Sequence, residues 1–186
     1  STYREVQKRS MKDHLLYTAS CPFESARYVS ILPEGHRAKN MHGHTFLARI
    51  RAAVPDNWAL FPGAETSEVN TLLKQAISTL DYQLLNDHLD TPTDENLARW
   101  LRDRLDVPGI DFVGVQSTAN QGADLDSNNH THVWRRFRFE SAHQLPNVPE
   151  GHQCGRMHGH GFEVILHADQ ELNGDMGVDF DKLGEI

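Results

Sequence analysis

Two segments of this chain repeat each other at a constant separation of 116 residues. The segments Phe23–His44 and Phe139–His160 carry identical residues at 12 of 22 positions, and no gap is needed to align them. Self-similarity at a fixed offset indicates a repeated structural unit. We therefore expect a duplicated chain, with a first module at residues 14–120 and a second at 131–186.

The first module reads as a mixture of strands and helices. Two extended runs flank a loop that contains Pro and Gly, which is typical of a long hairpin. Two amphipathic helices follow, the second with Thr93 as a plausible N-cap. The small polar segment 117–129 reads as a turn or a link between the modules. The predicted order is β-β-α-α-β with room for a last strand, at residues 14–29, 42–54, 67–80, 93–105 and 110–116.

The second module reads as strand, hairpin loop and strand from Thr131 onward. At the repeat offset, position 186 corresponds to position 70, near the start of the first predicted helix. We therefore expect the second copy to be incomplete and to contain only the N-terminal half of the unit. The expected fold class is α+β.

Three histidines lie close together in the second repeat segment: His143, His158 and His160. In a strand, His158 and His160 point to the same face, because side chains alternate with a period of two. The preceding extended run ends at His143 and can bring a third imidazole to the same point. Three imidazoles with one open position are typical of a catalytic zinc site. The pattern predicts Zn²⁺ bound by these three residues.

Cys154 lies four residues before His158, in a loop that contains Gly. Its thiol could close the zinc site as a fourth ligand, which would make the site structural. It could also lie just outside the metal and act as a base. The residues alone leave both roles open.

The first repeat segment lacks part of this set. Arg27 stands at the position of His143, and Ala38 at the position of Cys154. A guanidinium group stays protonated and has no lone pair to offer a cation. The remaining pair, His42 and His44, makes a poor zinc site, so we expect no tightly bound metal there.

Composition excludes several classes of partner. The formal net charge of −8 argues against nucleic acid and against an anionic membrane surface. No apolar run approaches the roughly 18 residues of a membrane helix. Cys21 and Cys154 occupy non-equivalent places in the repeat, so a disulfide framework is not expected and a reducing cytoplasm is the simplest setting.

Several strings of residues resemble one known family. Leu145–His160 resembles the signature of the 6-carboxytetrahydropterin synthases, within the 6-pyruvoyl-tetrahydropterin synthase family. Leu80–Asp87 and Pro92–Trp100 are similar to later segments of that family, in the same order. The resemblance implies the tunnelling fold, a four-stranded antiparallel sheet with two helices on one face around a central tunnel. It also implies a homo-oligomer, since the family assembles into closed rings.

The resemblance also implies roles for individual residues. His143, His158 and His160 match the family's zinc ligands, and Cys154 matches its catalytic thiol. The family's Asp-His pair and its late pterin-anchoring Glu correspond in the first module to Asp81, Tyr82 and, by a looser alignment, Gln116. The His and the Glu of this set are therefore absent from the first module. These losses, with those at positions 27 and 38, indicate a degenerate first module beside a second module that carries the site.

The implied activity is that of a zinc-dependent lyase. The substrate would be a small pterin, 7,8-dihydroneopterin triphosphate, and the product 6-carboxy-5,6,7,8-tetrahydropterin, on the pathway to queuosine and related 7-deazaguanines. Two alternatives stay open. One is a lyase of the 6-pyruvoyl-tetrahydropterin synthase type, and the other is a non-catalytic scaffold that binds pterin or zinc.

Overall fold

The computed structural model describes residues 15–169 and 179–185. Three helices in this part are α1 (Glu65–Ser78), α2 (Asp94–Arg104) and α3 (Phe180–Leu183). The strands there are β1 (Tyr17–Arg27), β2 (His42–Ala52), β3 (Gln83–Leu84), β4 (Ile110–Thr118), β5 (Gln121–Asp126), β6 (Thr131–His143) and β7 (His158–Asp169). These strands form one sheet in the order β3-β1-β2-β4-β5-β6-β7. The sheet is antiparallel except for the two-residue pairing of β3 with β1.

Two helices cover one face of the sheet: α1 packs on β1 of the first hairpin, and α2 packs on β4 and β5. Alternate residues of β1 are buried, as the period of two requires. Phe23 stacks on Phe46 at a ring-centroid distance of 4.9 Å, and both side chains are buried. The apolar stripe of α1, at Val69, Leu73 and Ile77, packs into the same core. The expected α+β class, with two helices on one face of an antiparallel sheet, is confirmed.

Helix α2 begins where the sequence predicts. The side chain of Thr93 accepts a hydrogen bond from the backbone N–H of Asn96 at 3.3 Å, which confirms it as the N-cap. Leu97 and Leu101 are buried in the core of the first hairpin. This packing fixes the first turn of α2 over the sheet and leaves the Asp94 side chain completely buried.

The expectation of a turn or link at residues 117–129 is wrong. Residues 117 and 118 complete β4, and residues 121–126 form β5. Ala123 and Leu125 are buried on the helix-covered face, and polar residues alternate with them. Because this strand needs only two apolar side chains, its composition resembles that of a loop. β5 pairs with β4 on one side and with β6 on the other, so the sheet runs without a break between the two hairpins.

The second hairpin, β6 with β7, forms as predicted, and its helix-side face is more exposed than that of the first. Phe139 and Phe162 stack at 5.2 Å, at positions 116 residues beyond Phe23 and Phe46. Their side chains are 51% and 37% exposed, whereas those of the first pair are buried. α3 lies on this same side of the sheet, where Leu183 packs against Ala123 and Val133. Among the described helices, none has the length and apolar character needed to cross a membrane.

Candidate metal centre and its counterpart in the first hairpin

The register of the second hairpin brings three imidazoles together. His143 lies directly opposite His158, and Ser141 lies opposite His160. All three histidine side chains therefore point to the same face of the sheet. Their ring centroids are 4.7 to 4.8 Å apart, and one ligand atom from each lies within 4.8 Å of the others. The arrangement follows from local strand geometry alone, because side chains two apart on a strand share a face.

A hydrogen bond fixes the ring of His158 in the form that a metal requires. Its Nδ1 lies 2.7 Å from the backbone oxygen of Arg156. A carbonyl oxygen can only accept, so Nδ1 carries the proton and Nε2 presents its lone pair. A metal-binding histidine commonly donates its other ring N–H to an oxygen in this way. The residues present therefore fit a zinc ion held by three imidazole nitrogens.

Cys154 lies on a short 3₁₀ turn, Gln153–Gly155, in the loop of the second hairpin. The backbone N–H of Cys154 donates to Nδ1 of His152 at 3.1 Å, and its carbonyl accepts from the N–H of Leu145 at 2.9 Å. The thiol is half-buried. The cluster of ligand atoms within 4.8 Å of one another consists of the three imidazoles and does not include this sulfur. This geometry favours a thiol outside the metal over a fourth ligand.

The first hairpin has the same register with a different residue in the third position. Arg27 lies directly opposite His42, as His143 lies opposite His158. Arg27 Nη1 donates to Asp94 Oδ1 at 2.6 Å and to the backbone oxygen of Pro92 at 2.9 Å. The other carboxylate oxygen of Asp94 accepts from the N–H and the hydroxyl of Ser117, at 3.1 and 2.8 Å. A buried ion pair thus occupies the place of the third imidazole.

The pKa of His44 in the first hairpin lies well below the usual range of histidine. Burial lowers the pKa of His44 to about 4, and the positive charges of Arg27 and His42 lower it further, whereas Asp94 opposes the shift. His42 Nδ1 lies 2.7 Å from the backbone oxygen of Asn40, so its Nε2 also presents a lone pair. The first hairpin thus offers two imidazoles beside a guanidinium, which cannot bind a cation.

A cavity of about 400 Å³ opens at this end of the first hairpin. Its wall is formed by the ends of β1 and β2 with the loop between them, the first turn of α2, the β4–β5 connection and the beginning of α3. The polar lining residues are Arg27, His36, Arg37, His42, His44, Thr93, Asp94, Glu95, Thr118, Gln121, Asp179 and Asp181. The apolar part comes mainly from Val29, Leu32, Ala38 and Phe180.

A second group with metal-ligand chemistry lies at the rim of this cavity. His36 Nε2 is 3.3 Å from carboxylate oxygens of both Asp179 and Asp181. However, His36 Nδ1 accepts the backbone N–H of Ala38 at 3.1 Å, so the ring proton must be on Nε2. That nitrogen has no lone pair for a cation. The contact is an electrostatic link between the first hairpin loop and α3.

Asp81, Tyr82 and Gln116, which correspond by resemblance to the family's Asp-His pair and late Glu, do not line this cavity. Asp81 accepts the N–H of Glu24 at 2.9 Å and so holds the end of β1. Tyr82 is 80% exposed with φ of 56°, and Gln116 does not line the cavity. The sequence reasoning missed Asp94 as the partner of Arg27. Its only signal was an acidic residue in the first turn of a helix, which is common in helices of every function.

Comparisons with known proteins identify the family of this chain. The sequence profile of the 6-pyruvoyl tetrahydropterin synthase family matches residues 17–125 and 132–186. A dihydroneopterin monophosphate aldolase from Pyrococcus furiosus is 27% identical over 103 residues, which is 53% of this chain and 82% of that protein. The solved structure of Caenorhabditis elegans 6-pyruvoyl tetrahydropterin synthase is 14% identical with a TM-score of 0.48, and the match covers 61% of this chain and 95% of that one. Because the family profile matches well over half of its length, this chain belongs to the 6-pyruvoyl tetrahydropterin synthase family of pterin-processing lyases and aldolases.

Proposed function

We propose that this protein is a zinc-dependent 6-carboxy-5,6,7,8-tetrahydropterin synthase that acts on 7,8-dihydroneopterin triphosphate. The observation that carries the proposal is the convergence of His143, His158 and His160 on one face of the second hairpin. The fixed ring of His158 and the free, half-buried thiol of Cys154 in the loop of the same hairpin support it. Family membership supplies the class of substrate, a pterin.

The chain's own residues have separate roles in this proposal. His143, His158 and His160 hold the zinc ion, which when bound supplies a Lewis acid that polarises the hydroxyl groups of the substrate side chain. The Cys154 thiolate removes a proton from that side chain. The contact of the Cys154 backbone with His152 fixes the turn on which the thiol sits. The overall reaction consumes one water molecule and releases triphosphate and acetaldehyde with the 6-carboxytetrahydropterin.

The first module has a supporting role in the same proposal. Arg27 and Ala38 replace a zinc ligand and the base, so residues 14–120 would form a degenerate module beside the active one at 131–186. The profile match in two segments is compatible with this division. A cytoplasmic homo-oligomer in queuosine or 7-deazaguanine biosynthesis completes the proposal.

The identity of the product decides between this activity and its relatives. The zinc-loaded protein is incubated with 7,8-dihydroneopterin triphosphate, and the pterins are separated and identified by mass. We expect 6-carboxytetrahydropterin. A 6-pyruvoyl product would instead show that the protein is a lyase of the 6-pyruvoyl-tetrahydropterin synthase type. Aldol cleavage would show the kind of activity for which the Pyrococcus relative is named. No turnover by a zinc-loaded protein would favour the non-catalytic scaffold.

A matched pair of cysteine variants tests the proposed base. Cys154→Ala should reduce turnover by roughly 10² to 10⁴-fold, which is the usual contribution of a positioned acid or base. Cys21→Ala removes a buried thiol in the core of the first hairpin and should leave turnover unchanged. Equal activity in both variants would contradict the role of Cys154.

A further inference from the structure

Two hydrogen bonds tie the turn that carries Cys154 to the chain just after β6. Gln144 follows His143 directly in the sequence. Its side-chain amide N–H donates to the backbone oxygen of Gly155 at 2.8 Å. The backbone N–H of Leu145 donates to the oxygen of Cys154 at 2.9 Å. The two residues after the candidate metal ligand thus hold the turn of the thiol at two points.

The first hairpin loop repeats the backbone part of this arrangement. The N–H of Val29 donates to the oxygen of Ala38 at 2.9 Å, and the N–H of Ala38 donates to Nδ1 of His36 at 3.1 Å. Both bonds match bonds of the second loop at positions 116 residues later. Because they are present with and without a thiol, they belong to the shared shape of the two loops.

The side-chain bond of Gln144 is what distinguishes the second loop. The equivalent position of the first copy holds Tyr28, whose side chain makes no hydrogen bond to the first loop among the described residues. Lys39 stands at the position of Gly155, and its ammonium group pairs with Glu34 inside the loop. The tie between the side chain after the strand and the turn is therefore present in the copy that has the thiol and absent from the copy that lacks it.

Little packing holds the second loop in place. Residues 149–153 are all exposed, and the Gln144 side chain is exposed as well. A segment with few buried contacts opens at low cost, so single hydrogen bonds decide how well it is ordered. One neutral hydrogen bond changes the population of the bonded form by roughly two- to tenfold.

We propose that Gln144 is a positioning residue for the Cys154 thiol. The inference rests on the proposed function, because it takes Cys154 as the base and His143 as a zinc ligand. A base must come within hydrogen-bond reach of the proton that it removes, and small misplacements are costly. Gln144 acts through the turn: its bond to Gly155 sets where the thiol lies relative to the chain that carries the ligand.

Kinetics of two substitutions test this role. Gln144→Met keeps the length of the side chain and removes its donor. In the zinc-loaded protein, kcat should fall by roughly two- to tenfold and KM should change little, because the bond holds the base and not the substrate. Gln144→Arg restores an N–H donor and should recover most of the lost kcat. An unchanged kcat in Gln144→Met, or a loss that Gln144→Arg does not relieve, would overturn the inference.

Alkylation of the thiols tests the same role without any turnover. Iodoacetamide should label Cys154 roughly two- to tenfold faster in zinc-loaded Gln144→Met than in the wild type, because the turn opens more often. Cys21 is buried in the core of the first hairpin and should label at the same rate in both proteins. The zinc content should be equal. An unchanged rate at Cys154, faster labelling of both cysteines, or loss of zinc would contradict a specific effect on the turn.

A second glutamine on the same turn provides the matched control. The side chain of Gln153 is exposed and makes no hydrogen bond with the described residues. Gln153→Met should therefore leave kcat and the labelling of Cys154 unchanged, and an effect equal to that of Gln144→Met would refute the special role of Gln144. If the wild type converts no pterin but labelling of Cys154 depends on Gln144 as expected, the positioning role stands and only the proposed activity fails.

Discussion

Arg27 and Asp94 form a buried ion pair at the place where the second hairpin holds its third imidazole. Arg27 Nη1 lies 2.6 Å from Asp94 Oδ1, and the two residues are 5% and 0% exposed. The pair joins the end of β1 to the start of α2, and Ser117 of β4 completes it with two hydrogen bonds. The first hairpin thus has a structural contact at the position where the second hairpin has its third imidazole.

Loss of this pair should destabilise the fold. Arg27→Met leaves the Asp94 carboxylate buried without its cation, and we expect the free energy of unfolding to fall by about 3 to 5 kcal/mol. Urea denaturation measures the change. Arg51→Met is the matched control, since Arg51 pairs with Asp111 at 2.8 Å on the surface and should cost about 1 kcal/mol or less. Similar decreases in the free energy of unfolding of the two variants would show that the buried pair stabilises the fold no more than the surface pair does.

Zinc should be bound by the second hairpin alone. Elemental analysis of the purified protein should give one zinc per chain. His143→Ala removes one of three ligands and should abolish retention of the metal, whereas His42→Ala at the equivalent strand pair should leave it unchanged. Two zinc ions per chain, or loss of zinc in His42→Ala, would mean that the first hairpin holds metal.

A single substitution should create a second zinc site. Arg27→His places an imidazole opposite His42 in the register that His143 has with His158. We expect zinc to rise from one to two per chain, because the new ligand joins His42 and His44 on one face. Arg27→Lys, which keeps a cation at this position, should remain at one. An unchanged zinc content in a folded Arg27→His protein would show that three histidines in this strand register are not sufficient to bind zinc in the first hairpin.

The His44 side chain should make stability depend on pH. Its pKa is about 4 in the folded protein, below the value of about 6.5 expected in the unfolded chain. Between these values the unfolded chain binds a proton that the folded one does not, so stability falls as the pH drops from about 6.5 to 4. Because the ring is only half-buried, we expect a loss on the order of 1 to 2 kcal/mol.

Comparison with His44→Gln isolates this effect from other titrating groups. Urea unfolding of both proteins at about pH 7 and about pH 5 should show a smaller loss of stability for the variant, which has no ionisable group at this position. The same pH dependence in both proteins would assign the effect to other residues.

Local patterns were sufficient to predict the candidate site. Side chains two apart on a strand share a face, and a hairpin places its two ends together, so the positions of His143, His158 and His160 could be derived without the fold. The N-cap of α2 at Thr93 is equally local. The strand at residues 121–126 was missed, because its burial depends on pairing with both β4 and β6.

The sequence by itself determined the repeat, the α+β class, the three-histidine cluster and the presence of Arg27 in place of a third histidine, since each depends on residue identity and spacing along one strand pair. Only the tertiary structure decided what Arg27 contacts, because Asp94 is 67 residues away and reaches it through the packing of α2 on the sheet. The same holds for the cavity, whose wall includes Asp179 of α3 beside His36 of the first hairpin loop. Contacts between distant segments depend on how whole elements pack, and no local spacing records that.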